Sequence, residues 1–307
     1  MNIDFIEALN EIERDKGIKK DVLIDAIEAA LISSYKRNFN TAQNVRVDIN
    51  RQTGDIKVFA RKTVVDEVLD PRLEISLDAA HEINGNYQLN DIVEIEVTPA
   101  DFGRIAAQTA KQVVTQRIRE AERGLIYEAF IDKEEDIVTG IVQRQDTRNI
   151  YVDLGKVEAV LPLNEIMPNE KFRQGERIKA YITKVENTTK GPQILLSRTH
   201  PGLLKRLFEL EVPEIYEGVV EIKSVAREAG FRSKIAVYSR NDEVDPVGSC
   251  VGPKGMRVQT IVGELRGEKI DIVRWSEDVE EYVSNALSPA QVLEVIVLGD
   301  EKVARVI

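Results

Sequence analysis

The residues best placed to do chemistry in this sequence are Gly252-Pro253-Lys254-Gly255. Glycines three positions apart remove two Cβ atoms from one short stretch, so an extended anion can approach the backbone closely there. Apolar periodicity on both sides predicts two helices meeting at this loop. The second would open at Met256 and offer free N–H groups to a phosphate, while Lys254 adds a positive charge. The chemistry implied is capture of a phosphodiester backbone. Spacing alone is weak evidence, because with 18 glycines in 307 residues about one such pair arises by chance. The elements around the loop decide its meaning.

Length and composition narrow the alternatives. A chain of 307 residues with 43% apolar content is sized for two or three domains with ordinary cores. No apolar run is long enough to span a bilayer. The opening residues, MNIDFIEALNEIERD, are acidic and amphipathic and lack the features of a signal peptide. The single cysteine, Cys250, excludes an internal disulfide and fits a reducing cytosol. Two residues before the loop, it reads as a small buried filler. With two histidines and one cysteine, a metal site or a catalytic triad is not expected. His81 has no second ligand spaced near it and reads as a surface residue. No Walker loop, Gly-X-Gly-X-X-Gly or His-Glu-X-X-His motif occurs, so no cofactor is expected and the chain does not read as an enzyme. A net charge of −11 confines any nucleic-acid contact to local patches. One candidate patch is Lys223, Arg227, Arg232, Lys234 and Arg240, set against Glu228 alone. Charge pattern supports equally a binding surface and a solvated hairpin edge.

Toward the N-terminus, helical spacing covers Phe5 to Glu13 and Asp21 to Arg37, separated by Gly17. Lys36 and Arg37 end the second helix, where cations complement the helix dipole. Alternating residues then predict a hairpin from Val45–Ile49 and Ile56–Ala60. A short helix near Ser76 to His81 and a strand from Ile92 to Val97 follow. A long helix runs from about Asp101 to Phe130. Its apolar stripe includes Phe102, Ala106, Ala110 and Val113, while Arg104, Lys111 and Arg119 fall together on the other side. Periodicity alone makes that side an ordinary solvated face.

After the charged joint Asp132–Asp136 the pattern changes to short strands: Ile137–Val142, Ile150–Leu154, Val157–Leu161, Ile178–Val185 and Gln193–Ser197. Turn signals separate them. Five short strands predict an OB-type β-barrel, a fold that often binds oligonucleotides on one face. The arrangement resembles the RNA-binding barrel named after ribosomal protein S-one. That family places aromatics and a histidine on its binding face. Here Tyr151 is present, but Pro162 and Leu163 stand in the histidine region, so only weak stacking is expected. Tyr151 reads equally as a stacking residue or as a plain sheet residue.

From His200-Pro201 onward the predicted order is helix 202–210, strands 219–225 and 233–239, the two helices around the glycine loop, and strand 269–275. This α-β-β-α-α-β order, with Gly-X-X-Gly between adjacent helices, resembles the prokaryotic (type II) KH domain. Such domains clamp about four nucleotides of single strand at that loop. A helix from Glu277 to Leu287 follows, then strand 292–298, a Gly299-Asp300 turn and strand 302–307. These residues read as the opening of a second KH domain without its glycine loop, and hence as a truncated product.

The expected organisation is thus multidomain α+β: a helical and hairpin N-terminal domain at 1–131, a five-stranded OB barrel at 132–199, a first KH domain at 200–275 and the start of a second at 276–307. This order resembles the NusA family of bacterial transcription factors. The most specific stretches are AIEAALISSYKRNF (Ala26–Phe39), GRIAAQTAKQV (Gly103–Val113) and DPVGSCVGPKG (Asp245–Gly255). The resemblance implies a cytoplasmic, monomeric, non-enzymatic RNA-binding elongation factor. It would ride on bacterial RNA polymerase near the RNA exit channel, docked on the β-subunit flap, together with nascent single-stranded and hairpin RNA and other Nus-type factors. It would lengthen hairpin pauses, promote intrinsic termination and take part in antitermination.

Carried residue by residue, the resemblance makes Lys36, Arg37, Arg104 and Lys111 face the RNA hairpin, against the solvated-face reading of their periodicity. In the KH domain Gly252, Pro253, Lys254 and Gly255 form the clamp and Arg257 extends it, as do Arg232 and Lys234. Rival classes are a structural KH protein of the ribosome, usually strongly basic, and the accessory part of an exoribonuclease, in which KH precedes the barrel behind a catalytic core. The acidity of this chain and its domain order speak against both.

Overall fold

The computed structural model describes residues 3–39, 44–298 and 303–307. Two compact units divide the chain, Met1–Gly124 and Leu125–Ile307.

In the first unit, helices α1 (Ile3–Lys16) and α2 (Lys20–Asn38) precede the hairpin β1 (Val45–Ile49) and β2 (Ile56–Val65). The hairpin pairs Val47 with Val58, so the alternating valines and isoleucines share one buried face. Strand β3 (Glu74–Ser76), helix α3 (Leu77–Ile83), strand β4 (Ile92–Glu96) and the long helix α4 (Phe102–Ile131) follow, the residues of α4 from Leu125 onward belonging to the second unit. β4 adds antiparallel to β2, and β3 parallel to it. The core consists of Leu23, Ile24, Ile27, Leu31 and Tyr35 of α2, packed on Val45, Val47, Ile49 and Val58 and on Phe102, Ala106 and Ala110 of α4. Apart from Ile24, these are residues that helical and strand periodicity select.

The second unit begins with a closed barrel in the order β5-β6-β7-β9-β8, formed by β5 (Ile137–Gln145), β6 (Asn149–Asp153), β7 (Glu158–Pro162), β8 (Arg177–Thr188) and β9 (Gly191–Ser197). Helix α5 (Pro201–Glu211) follows, capped by His200, whose Nδ1 accepts from Gly202 N–H at 3.0 Å. Then come α6 (Pro213–Tyr216), β10 (Val220–Glu228), β11 (Arg232–Ser239), α7 (Pro246–Val251), α8 (Met256–Glu264) and β12 (Lys269–Arg274). The sheet order is β10-β11-β12. β10 runs antiparallel and β12 parallel to β11, so β12 is an edge strand. Helix α9 (Val279–Leu287) and the hairpin β13 (Val295–Leu298) and β14 (Val303–Val306) end the described chain. The expected Gly299-Asp300 turn lies outside the described residues.

Met167 and Tyr181 of the barrel share a core with Leu203, Leu207, Phe208, Ile235, Val237, Cys250, Ile261 and Leu265. Two buried ion pairs reinforce that junction. Arg198, 1% exposed, donates from Nε to Glu170 at 2.8 Å and from Nη2 to the Glu264 carbonyl at 3.0 Å. Arg227 holds Glu268 at 2.9 Å and donates to the His200 carbonyl at 2.8 Å. Each guanidinium has several acceptors, which a charge needs once it leaves water. The barrel and the α5–β12 layer are therefore joined through packed side chains.

Candidate nucleic-acid interface

Helix α7 is built to end at the glycine loop. Asp245 caps its start, accepting from Gly248 N–H at 3.0 Å, and Pro246 occupies the first turn, where its missing N–H is harmless. The last turn closes with Gly252 N–H on the Gly248 carbonyl at 2.9 Å. Gly252 then takes φ 73°, ψ 173°, a region essentially reserved for glycine. Lys254 follows at φ 52° and Gly255 at φ 75°. The loop thus contains three positive-φ residues, and Pro253 is the exception.

The expectation that free N–H groups begin at Met256 needs correction. Gly255 N–H donates to the Gly252 carbonyl at 3.1 Å, and Met256 N–H to the Pro253 carbonyl. What the loop presents outward is the Lys254 side chain, which is exposed and makes no ion pair among the described residues. Arg257 plays a different part from the one its charge suggests. Its Nη1 donates to Glu214 at 2.9 Å and to the Ser249 carbonyl at 2.7 Å. Its aliphatic stem runs beneath Gly252, where an added Cβ would lie 2.7 Å from Arg257 Cγ. Arg257 supports the loop from within.

The basic stretch of β10 and β11 is likewise occupied. Lys223 bonds Glu221 at 2.6 Å, and Arg240 pairs with the same carboxylate. Arg227 is buried on Glu268. Arg232 meets Asp271 at 2.6 Å. Lys234 donates to the Ser288 carbonyl at 2.8 Å and to that of Ala286, closing the end of α9. None of these cations is a bare binding group, since each has an acceptor within the chain, although Arg232 and Arg240 remain 53% and 70% exposed. Beside them, a cavity of about 250 Å³ of mixed polarity follows the edge of β12, lined by Val251, Val258 and Ile270–Val273, Asp271 included, and by Ser288 and Pro289.

In the barrel, Tyr151 lies on β6, half-buried, with its hydroxyl donating to Asp146 at 2.9 Å. Together with the Arg148 and Asn149 N–H groups, that bond holds the Asp146 carboxyl below its ordinary range. Arg144, its cross-strand neighbour, lies over the ring at 3.5 Å from the centroid and is held there by Glu158 at 2.7 Å. One face of Tyr151 is therefore covered. In the other unit, contacts between Tyr35 and Phe102 (5.8 Å) and between Ser34 and Thr109 (3.2 Å) set the end of α2 beside the start of α4. Lys36, Arg37, Arg104 and Lys111 are exposed around that corner, and none makes an ion pair among the described residues.

Comparison with known proteins matches three family models: the NusA N-terminal domain over residues 4–124, the S1 RNA binding domain over 131–197 and the NusA-like first KH domain over 198–275. The transcription termination/antitermination protein NusA of Halalkalibacterium halodurans is 74% identical over the whole of this chain, which spans 80% of that relative's length. The protein of the same name from Bacillus subtilis is 69% identical and 83% covered, and that of Thermus thermophilus 42% and 82%. The chain belongs to the NusA family.

Within this member of the NusA family the barrel lies in the residues matched by the S1 RNA binding domain, and the loop and the α5–β12 layer in those matched by the NusA-like first KH domain. The family is one of transcription factors, not of enzymes. The sequence reading overlooked Arg144, Glu170, Arg198, Glu214 and Glu268 altogether. Only Arg144 left a local signal, since the turn at Asp146–Asn149 sets it opposite Tyr151.

Proposed function

We propose that this chain is an RNA-binding elongation factor that docks on bacterial RNA polymerase near the RNA exit channel, in the cytoplasm and as a monomer. It lengthens hairpin pauses, promotes intrinsic termination and, with other Nus-type factors, takes part in antitermination. The observation that carries this reading is the contrast among its cations. Those of β10 and β11 have internal acceptors, whereas Lys36, Arg37, Arg104, Lys111 and Lys254, like other surface cations such as Arg119, are exposed without an ion pair among the described residues. In a net acidic chain, such cations are the ones free to meet phosphate. The four in the first unit serve the hairpin stem. The glycine loop serves upstream single strand, with Gly252 and Gly255 setting the backbone and Lys254 meeting phosphate. Arg257 serves by supporting the loop, and Arg232 and Lys234 by shaping the neighbouring groove. Tyr151 with Arg144 offers a weaker stacking surface on the barrel. Residues 276–307 are read as the start of a second KH domain, beyond the domains at 1–131, 132–199 and 200–275.

The deciding experiment is the lifetime of a hairpin-stabilised pause by purified bacterial RNA polymerase, with and without the protein. A longer pause, abolished by Arg104→Ala with Lys111→Ala while single-stranded RNA binding persists, supports the division of labour. Pro253→Asp with Lys254→Asp reverses the selection: single-strand affinity falls, and its salt dependence flattens by about 0.7 units of slope for each lost phosphate contact. An unchanged pause with polymerase still bound shifts the function to the glycine loop. Failure to bind polymerase overturns the reading.

A further inference from the structure

The face of the β10–β12 sheet opposite α7 and α8 carries an aromatic notch that the glycine-loop reading leaves unused. Alternation along β11 sends Ile235 and Val237 into the core and Tyr238 outward, where it is 38% exposed. Trp275, the only tryptophan of the chain, follows β12 and meets Tyr238 edge-on at 5.5 Å, with the ring planes at 84°. Tyr282 of α9 closes one side at 6.4 Å from Trp275 and is fixed by a 2.6 Å bond between its hydroxyl and Ser224 Oγ. The ammonium of Lys223 stands over both walls, 5.2 Å from each ring centroid. β10 slips register between Ile222 and Ser224, and the residue displaced by that bulge is Lys223. A bulge re-aims a side chain, and here the side chain is aimed into the notch.

A purely structural pin would bury its rings, yet these remain partly open, and a cation fills the opening. The rim holds Lys223 and Arg240 against Glu221, a net positive charge. The edge cavity runs from Val251 and Val258, which flank the glycine loop, to Val273, two residues before Trp275, and the one carboxylate in its lining, Asp271, is paired with Arg232. Perpendicular aromatic walls, cations at the rim and a groove leading from a phosphate-binding loop together fit a nucleotide of an extended single strand.

We propose that the Tyr238–Trp275 notch is a second RNA contact, in which an unpaired base stacks in place of the Lys223 ammonium. Lys223 and Arg240 then exchange their shared partner Glu221 for the flanking phosphate. The strand reaches the notch by turning round the open edge of β12. The proposal rests on the RNA-binding reading above.

The test uses the intact chain and a labelled short oligoadenylate, following label anisotropy and Trp275 emission in one titration. Trp275 is expected to quench over the same concentrations at which anisotropy saturates. Tyr238→Ala weakens binding about tenfold, as loss of one base–aromatic stack predicts, and Tyr238→Phe restores it. Lys223→Gln keeps the rings and lowers the salt slope by about 0.7. Saturating anisotropy with unmoved Trp275 emission, and with Tyr238→Ala and Lys223→Gln binding as the parent does, overturns the notch while sparing the glycine loop. Quenching that survives Pro253→Asp with Lys254→Asp at undiminished affinity supports the notch and removes the loop. No binding by the parent chain overturns both.

Discussion

Replacing Gly252 by alanine should cost far more than the same change at Gly255, three residues away in the same motif. Both glycines have positive φ, but at ψ 173° Gly252 is outside the left-handed helical basin, whereas Gly255, at ψ 14°, is within it. An L-residue in that basin costs about 1–2 kcal/mol, and nothing comes nearer to a Cβ at Gly255 than Val258 Cγ1 at 4.0 Å. At Gly252 backbone strain is of order 1–3 kcal/mol, and the new Cβ would lie 2.7 and 2.9 Å from Arg257 Cγ and Cδ. That stem cannot retreat freely, because Nη1 is tied to Glu214 and to the Ser249 carbonyl. Releasing those charge-assisted bonds adds about 1.5–3 kcal/mol. Gly252→Ala is therefore expected to destabilise this domain by about 3–5 kcal/mol, and Gly255→Ala by about 1–2 kcal/mol. Urea unfolding followed by Trp275 emission reads the difference, since the sole tryptophan reports on this layer. A cycle with Arg257→Ala isolates the steric part. In that background Gly252→Ala should lose about half of its effect and keep the dihedral strain. Equal costs at the two glycines, or a Gly252→Ala cost indifferent to Arg257, would refute the account of Arg257 as the loop's support.

Three further outcomes follow from the buried groups. Arg198→Met strands the Glu170 carboxylate, which is fully buried on its side chain. The urea midpoint should fall by the equivalent of about 3–5 kcal/mol, and adding Glu170→Gln should recover much of that loss. Glu268 responds to pH: burial raises its carboxyl, but Arg227, the Gly230 N–H and the Ser233 hydroxyl outweigh it and hold the pKa below the usual value. Its stabilisation is thus complete above the unfolded-state pKa and is lost as pH falls through the folded one. Midpoints measured downward from about pH 5 should drop, and less steeply in Glu268→Gln. Cys250 is fully buried, and desolvation pushes its thiol up to about 12. Iodoacetamide at neutral pH should modify it only as fast as the domain opens, with rates rising in urea; prompt alkylation of the native chain would contradict the buried placement.

Legibility in the sequence follows the range of the forces involved. α2 was readable because Leu23, Ile27, Leu31 and Tyr35 repeat at helical spacing on one face. The barrel strands were readable because each turn carries its own polar or glycine signal. The glycine loop gained meaning from the order of the elements around it. β3 was missed because Glu74–Ser76 is too short to alternate and is recruited by β2. The roles of the cations were missed for another reason. Arg227 finds Glu268, Arg232 finds Asp271 and Lys234 finds the Ser288 carbonyl across 41, 39 and 54 residues. Local composition records a charge but not its acceptor. Tyr151 illustrates the same limit at short range: its identity suggested stacking, and only strand register reveals that Arg144 already occupies one face.

That distinction also explains how a chain of net charge −11 can hold a polyanion. At physiological ionic strength exposed charges more than about 8 Å apart are largely screened. A phosphate at the glycine loop therefore responds to the few groups within that radius, and the total matters little. Near the loop, Arg257 is tied to Glu214 and Asp245 to Arg274 at 3.0 Å. Paired charges contribute little field of their own, whereas Lys254 makes no ion pair among the described residues. The acidic residues in this layer thus have a second effect besides charge: by fixing the neighbouring guanidinium groups they shape the groove and, on the function proposed above, leave the Lys254 ammonium to meet phosphate. Adding cations elsewhere on the surface should then strengthen RNA binding less than restoring a single lysine at position 254 in a variant that lacks it.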